Sequence, residues 1–138
     1  MPFESDPIDL CGLLSGVDRR EIVAQLSPQM ESSELFALQK HAREIFVSPA
    51  LLDYVQAILR HTREEARYTH GLSPRAGLAL LAAARAWALL DGRDAVIPED
   101  VQVILPGVVS HRLQAVGEHT KRNSDALVRE LIEAVAIP

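Results

Sequence analysis

The chain has 138 residues, 48% of them apolar and 24% charged, with a formal net charge of -5. That balance fits one ordinary globular domain and argues against binding to nucleic acid or an acidic membrane through bulk charge. Cys11 is the single cysteine, so neither an intrachain disulfide nor a cysteine-based zinc site can form, and a cytoplasmic location is expected.

The start, Met1-Pro2-Phe3-Glu4-Ser5-Asp6, has neither the basic stretch nor the apolar run of a signal peptide. Residues 1–29 read as a lead-in segment with a short helix around Asp18 to Leu26. Ser32 is placed to cap a second helix, with Leu35, Leu38, Ala42 and Ile45 expected on one face. Ser48-Pro49 combines a capping hydroxyl with proline at the first helical position. Beyond it Leu51, Leu52, Val55, Ile58 and Leu59 form a stripe that decays at Arg63-Glu64-Glu65. The polar segment from Glu64 to Gly71 reads as the loop with most freedom.

Ser73-Pro74 repeats the start signal, and Gly92 is well placed for a left-handed stop after Leu90. The helix between them is apolar on nearly every side, which marks it as central, with Leu78, Leu81, Ala84 and Ala88 expected inward. Arg85 interrupts this run, which falls short of the ~20 residues that a bilayer requires. Pro98-Glu99-Asp100 opens another helix with two acids in its first turn, although Ile97 offers no capping acceptor. Pro106-Gly107 is expected to break that stretch. Ser124 should start the last helix, with Leu127, Val128, Leu131, Ile132 and Val135 on one face. The β-favouring runs Ile45-Phe46-Val47 and Ala95-Val96-Ile97 are long enough only for a short parallel pairing. The expected fold class is all-α, a small bundle of roughly five or six helices with at most one very short parallel β bridge.

Catalytic signatures are missing. The histidines His41, His61, His70, His111 and His119 form no H-E-x-x-H pattern or known metal spacing, and His41 with Glu44 is a common pair on a solvated helix face. No G-x-S-x-G elbow, C-x-x-C or P-loop is present. One position breaks a local rule. In Gly71-Leu72-Ser73-Pro74-Arg75, Ser73 caps, Pro74 is the first helical residue and Arg75 the second. A cation in a first turn opposes the helix dipole, at a cost of a few tenths to ~1 kcal/mol if exposed. Either Arg75 pairs with a nearby carboxylate, or the helix start and the guanidinium together receive an anion.

The strings Ser48-Pro49-Ala50-Leu51-Leu52-Asp53-Tyr54-Val55, His61-Thr62-Arg63, Gly71-Leu72-Ser73-Pro74-Arg75-Ala76, Leu90-Asp91-Gly92-Arg93-Asp94-Ala95-Val96-Ile97-Pro98-Glu99-Asp100-Val101 and His111-Arg112-Leu113 resemble, in order and spacing, the C-terminal lid of MoxR-family AAA+ ATPases. The resemblance covers about residues 30–113, leaving 1–29 as lead-in and 114–138 as a C-terminal extension with a final amphipathic helix. It implies that Arg75 is the sensor 2 arginine, which reaches the γ-phosphate of ATP held by the motor domain, with Ser73 and Pro74 setting its helix start. It also implies ATP and Mg in the intact parent protein. Implied partners are the motor domain, neighbouring subunits of a ring and proteins carrying a von Willebrand factor A domain. The implied role is chaperone-like remodelling or maturation of client proteins.

The Walker A, Walker B, sensor 1 and arginine-finger parts of that family are absent from these residues, so this chain alone is expected to be a monomer without ATPase activity. The family often has a capping Thr where Ile97 stands, so a looser helix start is expected there. Several other residues have plain structural readings. Arg63 closes a helix or helps a nucleotide pocket. Arg93 is free to pair with an acid in its turn. His111 and Arg112 make a structural hydrogen bond or contact a motor. Tyr54 and Trp87 pack in the core or against the motor, and the Leu127–Val135 stripe closes the core. The alternative function is a free-standing helical interaction module with no nucleotide role, which permits a buried or ion-paired Arg75.

Overall fold

The computed structural model describes residue 16 and residues 19–113 and 124–138. Six helices lie among them: α1 (Arg19–Gln25), α2 (Ser32–Glu44), α3 (Pro49–Glu64), α4 (Pro74–Leu90), α5 (Pro98–Val109) and α6 (Ser124–Ala134). The chain divides into two units, Met1–Ser32 and Ser33–Pro138. Of the first, α1 is the described helix, and its Ile22 and Val23 are exposed. The second unit is an all-α bundle in which α3, α4, α5 and α6 share one core, with α4 on α5 as its most extensive helix pair.

The local start and stop signals act as expected. Ser48 accepts the Leu51 N–H at 3.1 Å and Ser73 accepts the Ala76 N–H at 3.2 Å, each before a proline at the first helical position. These hydroxyls satisfy donors that a helix start otherwise leaves without an intrahelical partner. At the far end of α4, Gly92 takes φ +74°. Its N–H reaches Leu89 O at 3.0 Å while the Arg93 N–H reaches Ala88 O at 2.9 Å. That is the paired closure of a left-handed glycine cap.

The buried face of α4 differs from the expected one. Ala76, Gly77, Leu80, Ala84 and Ala88 point inward, whereas Leu78 is 70% exposed and Leu81 only half-buried. A helix apolar all round carries no period from which to choose a face, so packing against α3 and α5 decides it. Gly77 allows close packing on α3, because a Cβ there would lie 2.7 Å from Leu59 Cδ1. On α3 itself Leu51, Tyr54, Val55, Ile58 and Thr62 are buried. Leu52, expected in the stripe, is exposed, and Leu59 sits at its flank.

Two further expectations are corrected. The Leu35, Leu38 and Ala42 face of α2 is not a core face: the two leucines are exposed, Ala42 is half-buried, and α2 packs against none of α3–α6. Ile45, just past its end, does enter the core. Pro106-Gly107 does not break α5, which runs through both to Val109. Proline inside a helix costs about 3 kcal/mol. Leu105 and Val109, both fully buried one turn apart, offset it at roughly 1.5–3 kcal/mol each. Pro106 and Gly107 themselves face outward.

The two β-favouring runs meet as an isolated parallel bridge between Phe46 and Ala95, made by Phe46 N–H to Asp94 O and Val96 N–H to Phe46 O, both 2.9 Å. Ile45 and Val96 carry it into the core. On α6, Leu127, Val128, Leu131 and Val135 are buried with Ile132 beside them, so the last helix closes the core against α3 and α5. The loop after α3 is anchored by buried Tyr68, edge-on to His61 at 6.3 Å between ring centroids, and by an Arg67–Glu130 ion pair.

Candidate functional site

Arg75 stands where the sequence places it, as the second residue of α4 behind Ser73 and Pro74. It is exposed, and among the described residues it makes no hydrogen bond or ion pair. No acidic residue occupies the first turn of α4. The helix dipole and the guanidinium therefore add to a local positive charge that no acid in the first turn offsets. Of the two readings left open by the sequence, the ion-paired surface arginine is not what the structure shows.

The approach to this helix start is tied to α3 at Leu72. The buried Leu72 N–H donates to Thr62 Oγ1 at 2.9 Å, and the Leu72 carbonyl accepts from Arg63 Nε at 3.0 Å. Thr62 is itself buried, and its hydroxyl donates to Leu59 O at 2.8 Å. Arg63 thus has a structural task in holding the Leu72 carbonyl. Thr62 is not singled out as a site residue in the sequence, where it stands only within the His61-Thr62-Arg63 string. Its signal is the Gly71-Leu72 step about nine residues on, and only the fold brings the two together.

Arg93 pairs more extensively than a turn residue needs to. Its Nε donates to Asp91 Oδ2 at 3.0 Å, and its Nη1 to Ala95 O at 3.2 Å and Asp100 Oδ2 at 2.7 Å, while Nη2 holds Asp100 Oδ1. Asp100 also accepts the Ile97 N–H at 2.9 Å. This side-chain acceptor from the third helical position compensates for the cap that Ile97 cannot supply. Burial alone would raise the Asp100 carboxyl, but the Arg93 guanidinium and the Ile97 N–H outweigh it and hold it below the usual carboxylate range. The hydrogen bonds that Arg93 donates to Asp100 and then to Asp91 raise it above its ordinary value. The group joins the α4–α5 loop, the start of α5 and, through Ala95, the bridge to Phe46. Its chemistry is structural.

The remaining candidates separate simply. Tyr54 is buried, with its hydroxyl accepting from Gln102 Nε2 at 3.2 Å, whereas Trp87 is 42% exposed. Arg112 Nε donates to His111 Nε2 at 3.0 Å on the surface. Among the described residues no group of three or more His, Cys, Asp or Glu could hold a metal ion, and no helix is long and apolar enough to cross a membrane.

Comparison with known proteins places this geometry in context. The AAA lid domain family matches residues 60–131. The uncharacterized protein YeaC of Bacillus subtilis is 31% identical over 128 residues, covering 91% of this chain and 40% of that protein. Chaperone MoxR1 of Mycobacterium tuberculosis is 33% identical over 147 residues, covering 92% of this chain and 38% of that protein. The chain therefore spans about two fifths of the length of these curated relatives. A crystal structure of a candidate ATPase from Cytophaga hutchinsonii shares the fold, with a TM-score of 0.73 at 19% identity over 99% of this chain and 52% of that one.

Proposed function

The chain belongs to the AAA lid domain family, as the lid region of a MoxR-type AAA+ ATPase, and we propose that Arg75 is its sensor 2 arginine, coupling ATP turnover in a motor domain to lid movement. The observation that carries the proposal is Arg75, exposed and without a partner among the described residues, at a capped helix start with no acid in its first turn. Leaving a cation there opposes the dipole of its own helix, a conflict that a bound phosphate relieves. Phosphoryl transfer is accelerated mainly by positioned charge, and a guanidinium supplies such charge to the γ-phosphate. Loss of that contact after hydrolysis frees the lid to move against the motor. ATP, Mg and the phosphate cradle belong to the motor domain of the intact protein in this reading, as the resemblance implies.

The same reading includes chaperone-like remodelling of client proteins, supported by the name of the mycobacterial relative. It also includes ring neighbours and partners carrying a von Willebrand factor A domain, as the resemblance implies. The alternative, a free-standing interaction module, leaves the unpaired Arg75 without a role. The test is Arg75→Ala in a protein carrying both motor and lid, with turnover and lid melting temperature measured together. Turnover should fall about a hundredfold, the scale of losing one preorganised donor. Stability should move by under ~0.5 kcal/mol, as for an exposed residue away from core and caps. Unchanged turnover removes the sensor role.

A further inference from the structure

Leu72 lies one residue before the Ser73 cap and three before Arg75, and it is 2% exposed. A buried N–H and C=O must find partners. Both of Leu72's are taken by side chains of two consecutive residues in the last turn of α3, Thr62 and Arg63. The Thr62 hydroxyl has little freedom, because its own proton is committed to Leu59 O within α3, which leaves its lone pairs for the Leu72 N–H. Gly71 completes the joint. A Cβ there would press on Arg63 Cγ, and would lie 2.9 Å from Arg63 Cα and 3.0 Å from Thr62 O, so only a glycine lets the chain run this close to α3.

We infer that Thr62 and Arg63, with Gly71, are positioning residues for Arg75: they lock the start of α4 onto the end of α3 and so set where the guanidinium is presented. The inference rests on the sensor reading of Arg75. A long side chain on a loose base samples many placements. A joint held at the N–H, the C=O and the adjacent backbone leaves the arginine only its own rotamers. Misplacing a catalytic contact by about 1 Å can cost about a hundredfold in rate, so the joint contributes to turnover without touching nucleotide. Arg63 thereby serves the nucleotide site through the backbone of Leu72.

The test has two parts. In the 138-residue chain, backbone 15N relaxation of residues 71–76 should be as restricted as in the middle of α4. Thr62→Val, which keeps the shape and removes the hydroxyl, should loosen those residues, and Thr62→Ser should restore them. In a protein carrying motor and lid, Thr62→Val should lower kcat on the order of tenfold to a hundredfold with a smaller change in KM for ATP. Thr62→Ser should stay within about twofold of wild type, because the hydroxyl is kept. In an Arg75→Ala background, Thr62→Val should produce no further loss. Equal losses in both backgrounds, or none in either, overturn the positioning role while leaving that of Arg75 intact. Unchanged turnover in Arg75→Ala alone takes down the sensor reading and this inference with it. If Thr62→Val fails to fold, Arg63→Lys decides the matter. It keeps the charge on an exposed residue, loses the Nε donor, and should show the same dependence on Arg75. The same loss with and without Arg75 would refute the joint.

Discussion

Leu80→Ala gives the sharpest test of how α4 sits in the bundle. Leu80 is fully buried at the middle of the helix, while Leu78, two residues earlier, is 70% exposed. The truncation removes about three methylene-sized groups, which at ~0.8 kcal/mol each is about 2.4 kcal/mol of transfer free energy. A cavity term adds to this, because α4 packs on both α3 and α5 and a fully buried site between packed helices collapses only in part. The total should reach about 3–5 kcal/mol, within the range of buried leucine truncations. Leu78→Ala should change stability by less than ~0.5 kcal/mol. Urea unfolding at 25 °C, followed by far-UV circular dichroism, measures both. For a chain of this size each kcal/mol corresponds to roughly 3–4 °C, so Leu80→Ala should also lower Tm by about 10–15 °C. Equal effects at the two positions, or a larger one at Leu78, would show that the inward face of α4 has been misassigned.

Other perturbations probe the local devices. Pro106→Ala should stabilise the chain by about 1–3 kcal/mol, since α5 is continuous there and the position is exposed; a loss of stability in the same denaturation assay would mean that proline serves the helix. Gly77→Ala alone should shift stability by no more than ~1 kcal/mol, helix propensity opposing the clash with Leu59. In a Leu59→Ala background the same change should become stabilising, and a double-mutant cycle showing no coupling would exclude the contact as its cause. Because Asp100 is held below its ordinary value in the folded state, its contribution is complete above the unfolded carboxylate pKa of about 3.9 and is lost as pH falls below that through the folded value. Thermal melts from pH 6 downward should show an acid decline, setting in as pH falls below about 4, that is smaller in Asp100→Asn. An identical decline in both proteins would assign acid sensitivity to other carboxylates.

Much of this protein is written in short-range chemistry. Ser48-Pro49 and Ser73-Pro74 announce their helices because a hydroxyl, a fixed φ and a run of free N–H groups all lie within three residues. Gly92 announces the end of α4 for the same reason, since a left-handed stop depends only on its own backbone. Arg75 was legible as an anomaly because the rule it breaks, charge against dipole, is also local. What the tertiary structure decided involves partners distant in sequence or a choice between faces. Neither the all-apolar α4 nor the amphipathic α2 states what will cover it. Pro106 remains helical because Leu105 and Val109 find a core elsewhere in the chain. Arg93 finds Asp100 only once the Gly92 turn brings the start of α5 back toward it, and Leu72 receives its two hydrogen bonds from an earlier helix. A local pattern fixes the conformation of a few residues, but burial and buried polar pairing depend on which surfaces meet.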